Sequence, residues 1–350
     1  VVLLGQKFQG VDGGLHASVA VQWPCRVTMW QPDNGFLRRR PNRANTLAMR
    51  VPTASAVLLF AALGSAHAEG DSLVDMLGPR EIAVGEAMRG GATGASAIGL
   101  NPAGLPLNRE LVFEGGYGYR AADGASLVHV SACDSTSTVP GCFYYDYAGS
   151  SPDLDGMSLH RTTHVLGSAL AYPISPKFAI GTTVKYFRFD SDVMNEPKAN
   201  GFSWDLGASS QLSSSMSLGF AGYNLVGTES TEFPRAVGGG VLARPLPSFS
   251  ISFDARWRLV DNDHTARYGG GAEYFLSTSN GQTGFPIRAG VLHDNGLSAT
   301  YLSAGLGLAT LRYGIDVTGR YAASGPSDKM IIASMRFFGP RLRAPATDGE

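Results

Sequence analysis

From residue 110 to residue 338 the chain alternates apolar and polar positions with a period of two, in runs of about ten residues. The cleanest run is 249–259. Phe249, Ile251, Phe253, Ala255, Trp257 and Leu259 occupy one set of alternate positions; Ser250, Ser252, Asp254, Arg256 and Arg258 occupy the other. Successive side chains of a strand point to opposite faces, so this run predicts a strand with one greasy and one charged face. The pattern recurs over 177–187, 202–212 and 311–321. The alternation predicts fourteen strands, at about 110–120, 125–133, 142–149, 161–172, 177–189, 201–212, 216–226, 234–244, 248–259, 266–277, 284–293, 300–309, 311–321 and 328–338.

The polar positions decide what kind of sheet this is. On one common face the strands carry Lys185, Asp205, Asp254, Arg256, Arg258, Arg267, Glu273, Arg288, Arg312, Asp316 and Arg320. In the apolar core of a water-soluble barrel each unpaired charge costs several kcal/mol. With the apolar face turned to lipid and the charged face to a wet lumen, most of that cost disappears. The expected fold class is therefore all-β: a transmembrane antiparallel β-barrel. Connections near 174–176, 213–215 and 246–247 are short, and those at 190–200, 227–233, 260–265 and 294–299 are longer and more polar. Such barrels place short turns at the periplasmic end and longer loops outside, and an even strand count returns both barrel ends to the periplasm. Tyr119, Tyr172, Tyr223, Trp257, Tyr274, Tyr301 and Tyr321 sit near strand ends as candidate interfacial girdles.

Composition agrees with this picture. Only 16% of the 350 residues are charged, and 45 are Gly. The net charge of −1 conceals an asymmetry: residues 1–68 hold 7 basic and 2 acidic residues, and the remainder is net −6. No basic stripe suggests a nucleic-acid partner. Residues 49–68 read as a signal peptide, with Arg50 in the n-region, an apolar stretch from Ala54 to Leu63, and cleavage after Ala66-His67-Ala68. The mature chain is expected to start at Glu69, in the outer membrane of a Gram-negative bacterium. Residues 1–48 fit no targeting class, and Met49 is the expected initiator. Cys133 and Cys142, nine positions apart in an exported chain, form a candidate disulfide.

Residues 77–107 break the strand pattern. The segment is rich in Gly and Pro and ends Asn101-Pro102-Ala103-Gly104-Leu105. Irregular backbone at membrane depth is tolerated only where protein surrounds it, so residues 69–109 are expected to form an N-terminal hatch inside the barrel of 110–338, with 339–350 as a periplasmic tail. Gly85-Glu86-Ala87, Ala95 and Asn101–Leu105 directly before the first strand resemble the FadL-type outer-membrane transporters and their PorV-like relatives. The stretches 202–225, 233–257 and 301–317 resemble the same superfamily. The resemblance implies a fourteen-stranded barrel, and a gating role for Gly85, Glu86, Asn101, Pro102, Ala103 and Gly104. The aromatic pair that often precedes the Asn in that family is replaced by Gly99-Leu100.

Enzyme chemistry finds little support. His160 and His164 share a strand face ~13 Å apart, too far to hold one ion. Arg89–Gly94 lacks the phosphate-loop spacing, and Asp146, Asp153 and Asp155 lack the spacing of a calcium loop. No metal or cofactor is expected. The expected function is a passive channel for small hydrophobic or amphipathic molecules, gated by the hatch. The expected partners are outer-membrane lipid, the substrate and the barrel-assembly machinery. The alternative is a scaffold without transport activity, working with secretion machinery.

Overall fold

Fourteen strands close into one antiparallel barrel, each hydrogen-bonded to its sequence neighbours and the last paired with the first. This is a computed structural model, describing residues 78–151, 153–154, 157–192, 198–226, 233–259, 265–278 and 283–339. The expected signal peptide, its cleavage site, residues 1–48 and all but the first residue of the tail lie outside the described residues. The strands are β1 (Leu111–Arg120), β2 (Ala125–Asp134), β3 (Gly141–Ser150), β4 (Arg161–Ser175), β5 (Phe178–Ser191), β6 (Ala199–Ser213) and β7 (Met216–Tyr223). They continue with β8 (Ala236–Leu246), β9 (Phe249–Arg258), β10 (Ala266–Ser277), β11 (Thr283–Asp294), β12 (Ala299–Thr310), β13 (Tyr313–Ser324) and β14 (Lys329–Phe338). A two-residue ribbon, Asp153–Leu154 with Met157–Ser158, stands apart in the β3–β4 connection. Closure satisfies every ladder without leaving a sheet edge, the condition for spanning lipid with strands. Each expected strand is present, with ends within about three residues of those read from alternation.

The apolar face points outward. Phe253 is 60% exposed while its neighbour Asp254 is 7% exposed, and the same inversion runs around the barrel through Phe143, Leu166, Phe202, Leu306 and Ile331. In water such a surface would drive aggregation; in a bilayer it is the solvated one. No helix among the described residues is long and apolar enough to cross a membrane.

Three expectations change. The inward charges do not line a freely hydrated wall: residues 78–107 fill the middle of the barrel, and Lys185, Asp205, Asp254, Arg256, Arg267, Arg288, Asp316 and Arg320 are buried, with Glu273 and Arg258 partly so. Arg312 has the inward parity but lies exposed in the two-residue turn before β13, where its N–H and that of Tyr313 donate to Thr310 Oγ1. A turn residue sits beyond the ladder, so parity no longer aims its side chain into the barrel. Tyr223 and Tyr301 are buried inside and belong to no girdle. Tyr119, Tyr172, Trp257, Tyr274 and Tyr321 do face outward.

Cys133 and Cys142 are directly opposed across the β2–β3 ladder, with Cα atoms 4.1 Å apart and sulfurs linked at 2.06 Å. Both point inward and are buried. Closing this short loop in the unfolded chain corresponds to about 2–3 kcal/mol in the chain-entropy account. Thiol labelling of the denatured, unreduced protein is expected to give almost no signal; two reactive thiols would show the pair unlinked.

Candidate functional site

The plug begins with a short helix, α1 (Pro79–Ala83), whose Pro79 occupies the first turn, where no N–H is needed. Gly85 and Glu86 then adopt positive φ, +67° and +60°, and reverse the chain; the Glu86 N–H closes the turn by donating to the Glu81 carbonyl at 2.8 Å. A second helix, α2 (Ala95–Leu100), leads to Asn101, followed by a 3-10 helix over Pro102–Leu107. Asn101 is fully buried. Its Nδ2 donates to the Arg89 carbonyl at 3.1 Å and to the Ala208 carbonyl of β6 at 3.0 Å, and its Oδ1 accepts from the Ala103 N–H at 3.2 Å. One amide therefore holds two plug segments together and ties both to the wall. Pro102, Ala103 and Gly104 are buried beside it, and Gly104 packs against the Ala92 carbonyl too closely for any side chain.

Charged anchors flank this amide. Arg89 donates from its backbone N–H to Asp254 Oδ2 at 2.8 Å, from Nη1 to the same oxygen at 3.0 Å, and from Nε to the Tyr223 hydroxyl at 2.7 Å. The Tyr223 hydroxyl donates in turn to the Leu100 carbonyl, and Arg256 stacks over its ring with Cζ 4.8 Å from the centroid. On the other side Glu86 lies 3.6 Å from Arg320 and 4.0 Å from Arg267. Those arginines also pair with Asp328 at 2.7 Å and Asp294 at 2.5 Å. Lys185 pairs with Asp205 at 2.8 Å. Arg288 bridges Glu273 and Asp316, each at 2.5 Å. Arg258 is half-buried at the loop end of β9. Burying Arg89, Lys185, Arg267, Arg288 and Arg320 is tolerable because each faces a carboxylate within ion-pair distance.

The wall is shaped for the plug. A Cβ on Gly181 or Gly207 would overlap Pro102 or Asn101. One on Gly219 would strike the Arg89 carbonyl, and one on Gly269 or Gly290 would strike Gly85. Near the loop end, Phe187 and Phe189 of β5 turn inward and meet Phe233, with the Phe187 and Phe233 ring centroids 3.9 Å apart. His160 and His164 act separately: one contacts Ser151 at 3.2 Å and the other the Tyr145 hydroxyl at 2.8 Å.

Sequence reading placed Gly85, Glu86 and Asn101–Gly104 in the hatch; the structure has all of them inside the barrel, Gly85 against β10 and β11 and Asn101–Ala103 against β5, β6 and β7. It missed Arg89 and Tyr223. A signal was present: on β7 the inward positions 217, 219 and 221 are Ser, Gly and Ala, so Tyr223, next in the same parity, faces the space those small residues leave.

No family model matches this sequence, and no match is found among curated proteins. Solved structures do share the fold. The CymD monoaromatic hydrocarbon channel superposes with a TM-score of 0.60 at 14% identity, over 76% of this chain and 98% of that one. The Ralstonia pickettii toluene transporter TbuX gives 0.58 at 15% identity, again over 76% and 98%. A Pseudomonas aeruginosa FadL homologue gives 0.54 at 11% identity, over 75% and 98%. The FadL-type fold expected from the hatch motif is the fold this chain adopts.

Proposed function

We propose that this chain is an outer-membrane channel for small hydrophobic molecules, closed at rest by residues 78–107. The observation that carries the reading is how the plug is held. Among the described residues it joins no strand of the barrel; it is seated by side-chain contacts that include Asn101 to Ala208, Arg89 to Asp254 and Tyr223, Thr318 to the Pro79 carbonyl, and Glu86 to Arg320 and Arg267. A stopper held this way can shift without unzipping the sheet. Near the loop end the interior is apolar, with Phe187, Phe189 and Phe233 buried in one cluster. The similar fold of hydrocarbon channels and a toluene transporter adds to this reading. Export by the signal peptide, cleavage after Ala68 and insertion by the barrel-assembly machinery belong to the same proposal.

The test is toluene uptake by proteoliposomes. Wild type is expected to exceed empty vesicles with saturable kinetics. Asn101→Ala leaves two buried carbonyls and one N–H without their partner and destabilises the seat by ~1–3 kcal/mol, so its uptake is expected to rise several-fold. Uptake equal to empty vesicles for both proteins would sink the channel reading and favour the scaffold.

A further inference from the structure

Plug and wall bound a cavity of about 60 Å³ beside α2. Charges of both signs line it: Lys185 and Arg256 offset Glu81 and Glu114, so it singles out no ion. Other polar groups of the lining already have partners. His129 contacts Asp146 at 2.5 Å and Ser131 at 3.1 Å. Asp205 accepts from Lys185 and from the Asn224 N–H, each at 2.8 Å. The Tyr223 hydroxyl lies between Arg89 and the Leu100 carbonyl. Two hydroxyls differ. Ser96 of α2 and Tyr144 of β3 both line the cavity and are only 8% and 6% exposed. Among the described residues, neither hydroxyl makes a hydrogen bond. Tyr144 is set by the residue opposite it in register, Gly167 of β4: a Cβ built on that glycine would lie 2.6 Å from the Tyr144 hydroxyl oxygen. The missing side chain lets the ring lie along the wall.

Hydroxyls buried beyond nine-tenths almost always have a partner, and one left without costs free energy. Each of these two can donate once and accept as well. Together they match a single neutral group that also donates and accepts, which is another hydroxyl. The space suits a head group and not a ring, since bulk water occupies about 30 Å³ per molecule. Ile98 and Val165 add apolar lining. A lone water would leave that surface without a contact, whereas a carbon beside the oxygen covers it. We propose that this cavity receives the hydroxymethyl end of a small neutral alcohol, with Tyr144 and Ser96 as its hydrogen-bonding partners. The inference rests on the channel reading and narrows it: solutes carrying one hydroxyl are favoured over the matching hydrocarbons.

Benzyl alcohol and toluene test this, because they differ by one hydroxyl on the methyl carbon. In proteoliposomes of the full chain, KM is expected to be about three- to tenfold lower for benzyl alcohol, the scale of a net neutral hydrogen bond. Tyr144→Phe keeps the ring over Gly167 and removes only the hydroxyl; Ser96→Ala does the same on the plug side. Each should raise KM for benzyl alcohol several-fold and leave KM for toluene unchanged. Equal KM for the two solutes in wild type would leave the cavity to water and overturn the site. Variants that shift both solutes alike would overturn it too, since they would act through the seat of the plug. Equilibrium dialysis of benzyl alcohol against the protein in detergent, with empty micelles as the blank, reads the site without transport. Saturable binding that weakens in Tyr144→Phe is expected. Toluene uptake without such binding removes the alcohol site and keeps the channel; binding without uptake of either solute does the reverse.

Discussion

Deleting residues 78–105 is expected to raise small-solute conductance in planar bilayers by roughly tenfold or more, because a barrel of this size has a water-filled lumen once nothing occupies it. The protein should still fold, since each ladder, including the β1–β14 closure, is complete without the plug. Arg89→Ala is expected to fall between wild type and the deletion. It leaves Asp254 buried with its main charge partner gone and removes the donor to Tyr223. Stranding one member of a buried ion pair costs about 3–5 kcal/mol. Relief comes from letting water in, which means unseating the plug. The equilibrium between seated and unseated forms should shift by about a hundredfold or more on that figure. Equal, low conductance in wild type, Arg89→Ala and the deletion would show that the plug is not the barrier.

Phe253→Arg is expected to destabilise the folded barrel by roughly 2–4 kcal/mol in lipid vesicles, the penalty for arginine on a lipid face near the midplane. Phe253 lies in the middle of β9 and faces outward. The matched control is Leu259→Arg, exposed just past the loop end of the same strand, where the cost should be ~0–1 kcal/mol. Urea titrations of both variants in vesicles read the difference; equal penalties would mean that the bilayer does not sit where the apolar belt places it. The inward neighbour Ser252 is no harmless site for an arginine. It is 3% exposed and paired in register with Gly271, which itself has Val84 packed against it, so the longer side chain would collide with the plug. In a wet lumen that substitution would have been mild.

The fourteen strands and their facing were legible because a two-residue period is local. Lipid outside and polar groups inside imprint every strand independently, and Phe249–Arg258 carries the signal without help from its neighbours. Strand ends were less sharp. The pattern stops where the ladder stops, and turn residues such as Arg312 keep the parity of a strand they do not belong to. The hatch was legible by its failure to alternate and by Asn101–Leu105.

What the chain's own pattern determined is the barrel, its inside and outside, and the presence of a plug. The seat was decided only in three dimensions. Arg89 meets Asp254 across 165 positions and Tyr223 across 134, and no local period links residues so far apart. The inward glycines look in sequence like ordinary barrel spacers. They become a seat only when Gly181, Gly207 and Gly219 are brought around one side of the lumen against Asn101, Pro102 and Arg89. The pairing of the charges was hidden for the same reason. Alternation tells which side a carboxylate faces, whereas its partner is set by the register of neighbouring strands and by the fold of the plug, both products of closing the barrel around a segment it must enclose.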